Sequence, residues 1–324
     1  MELEDKIRQG IGNTLDATDF GIGRLFRGKV RDNYILGNRR AIVTTDRISA
    51  FDVVLGTIPL KGQTLNQMSA FWFDVTRHAV PNHMISVPDP NVMIVRECEP
   101  LPVEMVVRAY VTGVTSTSIW THYQKGVRNF CGNLLPDGLR KDQKLAAPIL
   151  TQSTKAEKGL HDESVSRKDI LERKLVSEED FDAMAEASFK LFGLGTKIAA
   201  RQGLILVDTK YEFGKDSEGK IVVIDEVHTP DSSRFWYASD YEPNFAAGKE
   251  QRRIDKEYVR KWYADRGFTG DGIPPPMTDE VKVEAAKRYI EAFETITGQK
   301  FVPQQGNVKE SVRQALERFA NGSA

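Results

Sequence analysis

Alternation of apolar and polar positions marks the strands of this chain, and its most informative run is residues 204–225, LILVDTKYEFGKDSEGKIVVID. An apolar opening turns polar at every second place. Asp208, Lys210 and Glu212 therefore share one face of a strand, while Val207, Thr209, Tyr211 and Phe213 take the other. The turn-rich stretch 215–219 leads into a second strand, Ile221–Ile224, which ends at the acidic pair Asp225-Glu226. Pairing of the two strands puts Asp225 near Lys210 and diagonal to Glu212.

Upstream, residues 24–59 read as strands and turns, RLFRGKVRDNYIL and then AIVTTDRISAFDVVLGTIP. Leu65 to Ala79 reads as a helix stopped before Pro81, and Val92–Arg96 as a strand. Pro100 and Pro102 punctuate the entry into a strand over Glu104–Val111, which makes Glu97–Leu101 the candidate hinge between lobes. From Thr112-Gly113 to about Glu163 the chain reads as turn-rich. Ser177 with Asp180 resembles a capping box opening a helix that runs towards Gly203, with Phe181, Met184, Phe189 and Phe192 as its buried stripe. The aromatic stretch 235–245 matches no element. Pro274-Pro275-Pro276 precedes a helix over Asp279–Thr297, with Gly298 as its C-cap. Strands mixed with helices, without strict βαβ alternation, predict an α+β fold. The expected division is a β-rich N-terminal lobe, 1–100, and a second α+β lobe, 101–324, that includes the C-terminal helices.

Bulk properties narrow the picture only by exclusion. A length of 324 residues suffices for one large domain or two ordinary ones. A net charge of −1 removes the electrostatic case for a nucleic-acid surface. Cys98 and Cys131 are too few for a disulfide framework or a structural zinc site. The N-terminus MELEDKIRQG has no apolar core, and no run approaches the roughly 20 apolar residues of a membrane span. These features lead to the expectation of a cytoplasmic protein without membrane or nucleic-acid partners.

Six clusters could carry chemistry. At 27–32, Gly28 in a hairpin lets the backbone approach phosphates while Lys29 and Arg31 face them together; a basic edge strand is the alternative. At 44–52, Asp46, Arg47, Ser49 and Asp52 follow an apolar strand, the usual place for a binding loop, or else form a self-bonded structural turn. Arg108 lies inside an apolar strand and must meet a carboxylate or a phosphate, with Glu104 as the competing internal partner. Ser153, Thr154 and Lys155 precede His161-Asp162-Glu163, where a lone His-Asp pair reads better as a local hydrogen bond than as a catalytic dyad. Asp208, Lys210 and Glu212 with Asp225 suit a magnesium–nucleotide site, because magnesium takes oxygen ligands and shares them with phosphates. A salt-bridged sheet face is the lesser alternative for that segment taken alone. Residues 225–234, DEVHTPDSSR, join an acidic strand end to Arg234 through a proline turn able to hold a metal and an anion.

In this order the clusters resemble the phosphoribosylaminoimidazole-succinocarboxamide synthase (SAICAR synthetase) family. The stretches that carry the resemblance are GKVRDNY (28–34), TTDRISAFD (44–52), PLPVEMVVRAYVTG (100–113), STKAEKGLHDE (153–163), LVDTKYEFG (206–214) and DEVHTPDSSRFW (225–236). IEAFETITGQKF (290–301) is similar too. The resemblance implies a two-lobed fold related to ATP-grasp enzymes, with the nucleotide cleft between lobes. It also implies an ATP-dependent ligase of purine biosynthesis. The enzyme would join L-aspartate to the carboxylate of 5-amino-1-(5-phosphoribosyl)imidazole-4-carboxylate through an acyl phosphate, acting as a monomer or homodimer with ATP and Mg2+.

Residue by residue, the resemblance places Lys29, Arg31, Lys155 and Lys210 with ATP, and the backbone of Glu97 to Leu101 against adenine. Glu212 and Asp225 would hold magnesium. Arg108 and Arg234 would grip the ribotide phosphate. Asp46, Ser49, Asp52 and Asp162 fall around the ribotide or aspartate, and Asp208 with Lys210 at the reacting groups. Where the family usually has a small hydroxyl residue this chain has Val114, so Ser116 or Ser118 is expected to take over.

Acyl-phosphate chemistry needs charge neutralisation and positioning more than a protein nucleophile, which fits the residue types. A metal-dependent nuclease would share the carboxylate–lysine core, but the neutral charge and the lack of a basic, aromatic face argue against it. A non-catalytic nucleotide-binding protein would use the same groups only to hold ATP.

Overall fold

The alternating segments within residues 24–57 and 84–96 fold as an antiparallel sheet and a small hairpin, with a helix between them. The computed structural model describes residues 2–51, 53–115, 117–154, 163–254 and 257–322. These form two compact units, one from residues 1–74, 83–97 and 255–324 and the other from 75–82 and 98–254.

In the first unit, strands β1 (Arg24–Arg27), β2 (Arg31–Leu36), β3 (Arg39–Thr44), β6 (Met84–Asp89) and β7 (Val92–Arg96) lie in the order β1-β2-β3-β7-β6. A small hairpin pairs β4 (Arg47–Ala50) with β5 (Val53–Thr57). One face of the large sheet buries Tyr34, Ala41, Val43, Val92 and Ile94 against Val312, Ala315, Leu316 and Phe319 of the C-terminal helix Val308–Ala320. This corrects the expected lobe boundary. Residues 255–324 belong to the first unit rather than the second, and the amphipathic helix Val308–Ala320 covers the sheet because that sheet has an apolar face to bury. Among the described residues no helix is long and apolar enough to cross a membrane.

The second unit is built on strands β8 (Glu99–Val111), β9 (Asn129–Phe130), β10 (Asn133–Leu134), β11 (Gln143–Thr154), β12 (Ser164–Val165), β13 (Leu204–Lys215), β14 (Ile221–Ile224), β15 (Ser233–Tyr237) and β16 (Arg253–Ile254). Its main antiparallel sheet runs β12-β11-β8-β13-β15-β16, with β14 added on β13. Strand β11 occupies part of the stretch expected to be turns. Pro148 sits where the β11–β8 register shifts, between Lys144 and Ile149, so a proline that reads as a breaker is accommodated at an irregularity. The unassigned 235–245 stretch becomes the end of β15 and the helix Ala238–Ala246, with Trp236 and Phe245 each stacked on Tyr241.

Helix Glu178–Arg201 starts at Ser177, whose side chain accepts from the Asp180 N–H. Phe181, Met184, Leu191 and Phe192 are buried on it, whereas Phe189 is exposed. At roughly 100° per residue Phe189 falls about 80° from Phe181 on the helical wheel, outside the stripe. Gly195 on the buried face makes room for His228, since a Cβ there would stand 2.3 Å from the imidazole Cε1. The helix Asp279–Thr297 and its left-handed Gly298 cap match the expectation.

The helix expected over Leu65–Ala79 spans Lys61–Thr76. Its early start has a long-range cause. Asp46 Oδ1 accepts the Gly62 N–H at 2.8 Å, so a carboxylate distant in sequence caps the first turn. Asp46 Oδ2 accepts the Leu15 N–H at 2.8 Å.

Burial of Asp46 raises its pKa to about 6, against the pull of the Leu15 and Gly62 N–H groups and of Lys61. The folded pKa thus exceeds the ordinary value, so between pH ~4 and ~6 the folded state binds more protons and stability falls as pH rises. A shift of this size corresponds to about 3 kcal/mol. Asp46→Asn removes that slope and turns one acceptor into a donor facing an N–H, a loss of about 1–3 kcal/mol. Urea denaturation is expected to show a larger deficit of the variant at pH 5 than at pH 7.5; equal deficits would mean that Asp46 does not titrate there.

Candidate active site

Strand pairing in the second unit brings the predicted residues onto one sheet face. Asp208 lies opposite Arg108 on β8 and Arg234 on β15, while Glu212 lies opposite Glu104. Asp208 is buried and both its oxygens are engaged. Oδ2 accepts from Arg108 Nη1 at 3.0 Å and from Arg234 Nη2 at 2.5 Å, and Oδ1 accepts from Arg234 Nε at 2.8 Å. Burial alone would raise this carboxyl, but Arg234 and Arg108 outweigh it and hold the pKa below the ordinary value. Burial in turn lowers the pKa of Arg108, whose charge Asp208 supports.

Arg108 also donates from Nε to Thr151 Oγ1 at 2.9 Å and from Nη2 to the Thr117 carbonyl at 3.1 Å. Its partner is therefore Asp208, and the Glu104 alternative is set aside. Two guanidinium groups against one carboxylate leave a local positive surplus, the condition for holding an anion. Gly113, at φ 100°, permits the approach: a Cβ there would lie 2.6 Å from Arg234 Nη1 and 2.4 Å from Ser118 Oγ. Ser118 is buried and its hydroxyl meets Thr115 N at 3.0 Å and Thr115 Oγ1 at 2.8 Å, within its own loop. Val114 is exposed. Ser116 lies outside the described residues.

Two residues further along β13, the sign of the charge reverses. Lys210 Nζ donates to Glu104 Oε1 at 2.9 Å and, more closely, to Glu212 Oε1. Burial opposes its charge, but Glu212, Glu104 and Asp225 overcome this and raise its pKa. One ammonium among three carboxylates leaves a local negative surplus. Glu104 also accepts from Ser153 Oγ at 3.2 Å. Among the described residues, no group of three or more His, Cys, Asp or Glu side chains is arranged to hold a metal ion.

The reach of Asp225 depends on backbone shape, with φ 66° at Asp225 and 51° at His228. Tyr211, on the buried face of β13, hydrogen-bonds through Oη to His228 Nε2 at 2.6 Å. Burial lowers the His228 pKa to about 3, so the imidazole is neutral and structural. Thr229 Oγ1 donates to Glu226 Oε2 at 2.7 Å, and the Ser232 carbonyl accepts the Lys210 N–H at 3.0 Å, which stitches the TPDSS turn to β13.

In the first unit, Lys29 and Arg31 sit at the β1–β2 hairpin, closed by the Gly28 N–H to the Arg31 carbonyl at 2.8 Å. Lys29 is exposed at the tip. Asp46 is buried behind this region with both oxygens on backbone N–H groups, and half-buried Ser49 lies on β4. Glu97 holds Arg40 through two bonds of 2.7 Å, and the chain passes from the first unit to the second directly after it. Leu101 is half-buried near the start of β8. Asp52, Lys155 and Asp162 lie outside the described residues.

Sequence reasoning missed Glu104 as a partner of Lys210 and Thr151 as a partner of Arg108. Glu104 carried a usable signal, being on the same strand face as Arg108; Thr151 carried none, because its strand was not predicted. Arg47 was noted only as a member of its cluster. In the structure it is buried and ion-paired with Asp32 at 2.8 Å.

Comparison with known proteins gives the same answer from an independent direction. The SAICAR synthetase family profile matches residues 24–274. A phosphoribosylaminoimidazole-succinocarboxamide synthase of Legionella pneumophila is 48% identical over 308 residues, 94% of this chain and 98% of the relative. The SAICAR synthase of Saccharomyces cerevisiae, solved in complex with SAICAR, superposes with a TM-score of 0.78 at 33% identity, covering 90% of this chain and all of that one. A SAICAR synthetase solved with ADP superposes with a TM-score of 0.65 at 27% identity, covering 86% of this chain and all of that one. On the strength of a match that runs through both units, the chain belongs to the SAICAR synthetase family.

Proposed function

We propose that the chain is an ATP-dependent ligase of purine biosynthesis. It joins L-aspartate to the carboxylate of 5-amino-1-(5-phosphoribosyl)imidazole-4-carboxylate, giving SAICAR, ADP and phosphate. The observation that carries this reading is the charge order along one strand face. Asp208 clamps Arg108 and Arg234 into an anion-holding pair, and Lys210 follows among Glu104, Glu212 and Asp225.

A carboxylate does not acylate an amine unaided, because its oxygen is a poor leaving group. Transfer of the ATP γ-phosphoryl group to the ribotide carboxylate turns that oxygen into phosphate. The aspartate amine then attacks the acyl carbon, the C–O bond breaks and phosphate leaves. Such a sequence needs positioning and charge stabilisation rather than a protein nucleophile.

Arg108 and Arg234 are assigned to the ribotide phosphate, with Asp208 holding both guanidinium groups in place rather than touching the reacting atoms. Lys210 is assigned to the phosphoryl oxygens, where its ammonium can exchange a carboxylate partner for substrate. Lys29 and Arg31 are assigned to the ATP phosphates. Glu212 and Asp225 would hold magnesium, and the fit is chemical: they are hard oxygen donors in a cluster with surplus negative charge, and magnesium is commonly held by one or two carboxylates plus phosphates. Bound there, the ion would neutralise phosphate charge. The proposal includes a cytoplasmic monomer or homodimer acting on small molecules.

ADP should form only when ATP, ribotide and aspartate are all supplied to the purified protein; release without aspartate, or cleavage of DNA, would reject the ligase. Glu212→Ala and Asp225→Ala are each expected to lower kcat by about 100-fold or more with an unchanged circular dichroism spectrum. Wild-type turnover in both would remove them from the metal site. Arg234→Met should raise the KM for ribotide by about 10- to 100-fold, the loss of one charge-assisted contact, with little effect on the KM for ATP. An unchanged ribotide KM would reject its phosphate role.

A further inference from the structure

The basic hairpin owes its shape to a buried residue outside it. Arg47, at the start of β4, is 5% exposed. Its Nε donates to the Lys29 carbonyl at 2.9 Å and its Nη2 to the Gly28 carbonyl at 3.1 Å. The same guanidinium donates to Asp32 Oδ1 at 2.8 Å and to the Asp16 carbonyl. Asp32 is itself held by Thr18, whose N–H and hydroxyl donate to Oδ2 at 2.7 and 2.9 Å. The next carbonyl of the turn, Val30, accepts from Thr45 N at 3.1 Å and from Thr45 Oγ1 at 2.8 Å.

All three carbonyls of the turn are thus drawn inward by one strand end. In a trans peptide the N–H points opposite to the C=O. Pinning the Gly28 and Lys29 carbonyls inward therefore turns the N–H groups of Lys29 and Val30 outward, on the side away from Arg47. Successive outward N–H groups form an anion-binding concavity.

We propose that Arg47 is a positioning residue that fixes the Gly28–Val30 turn in the conformation that receives the nucleotide phosphates. This rests on the assignment of the hairpin to ATP. Arg47 touches no substrate and acts through the turn's carbonyls. Lysine cannot replace it, because a single ammonium cannot span two successive carbonyls and a carboxylate as a planar fork does.

The test is Arg47→Lys, which keeps a cation beside buried Asp32 but loses the fork. ATP and AMP affinities are measured by competition in the ligase assay, with Lys29→Ala alongside. Arg47→Lys is expected to weaken ATP by about tenfold or more and AMP by less than about twofold, and to leave the KM for aspartate and ribotide unchanged. A purely structural role would lower the melting temperature without separating ATP from AMP, and would overturn the proposal. If Lys29→Ala weakens ATP and Arg47→Lys does not, Arg47 loses its role while the hairpin keeps its own. If neither variant weakens ATP, the hairpin assignment falls and the proposal with it. Should Arg47→Lys fail to fold, Thr45→Val, which removes the hydroxyl contacts to the Val30 carbonyl and the Arg47 N–H, is expected to weaken ATP about threefold with AMP unchanged, and no change overturns the proposal.

Discussion

The contact on which the second unit's charged face depends is Asp208 held between Arg108 and Arg234. Three antiparallel strands, β8, β13 and β15, meet at this carboxylate. A buried guanidinium without a partner would be untenable, and breaking such a pair costs about 3–5 kcal/mol. The same contact holds two cations side by side, which their mutual repulsion would otherwise prevent. One carboxylate therefore ties three strands together and engages both its oxygens with guanidinium groups.

Next to it the strand alternates charge with a period of two. The step from Asp208 to Lys210 exchanges a cationic surround for an anionic one across neighbouring positions of the same face. Phosphate and magnesium are expected to demand opposite potentials within a short distance, and a pleated strand provides this without any loop. The reverse face of β13 carries Tyr211 and Phe213 into the core, where the Tyr211–His228 bond supports the acidic turn after β14. Support of this kind is the common device of both units. In the first, Arg47 and Asp46 are buried charges whose partners are mostly backbone groups of other segments, and they shape the hairpin and the start of the Lys61–Thr76 helix.

Most of the site face was legible in the sequence, because strand periodicity is local: the grouping of Asp208, Lys210 and Glu212 follows from alternation alone. The helix Asp279–Thr297 was legible for the same kind of reason, with its start and its Gly298 cap written in adjacent residues. Arg108 and Arg234 stood out within their own clusters and the family motifs grouped them at a phosphate, but nothing in the sequence brought them to one carboxylate.

Pairing and packing between distant segments were decided only by the tertiary structure. The partner of Arg108 is set by register between β8 and β13, which sequence spacing does not encode, so the sequence named only Glu104 as an internal partner and not Asp208. Asp46 reads as a binding-loop carboxylate and proves to cap a helix. The C-terminal helices read as part of the second lobe and instead belong to the first unit, where Val308–Ala320 covers the sheet because only the folded sheet presents the apolar face it buries. The chain's own order determined which residue types stand on each strand face and which family it belongs to. Which of those charges meet, and which are consumed in holding the scaffold, followed from contacts that exist only once the sheets have formed.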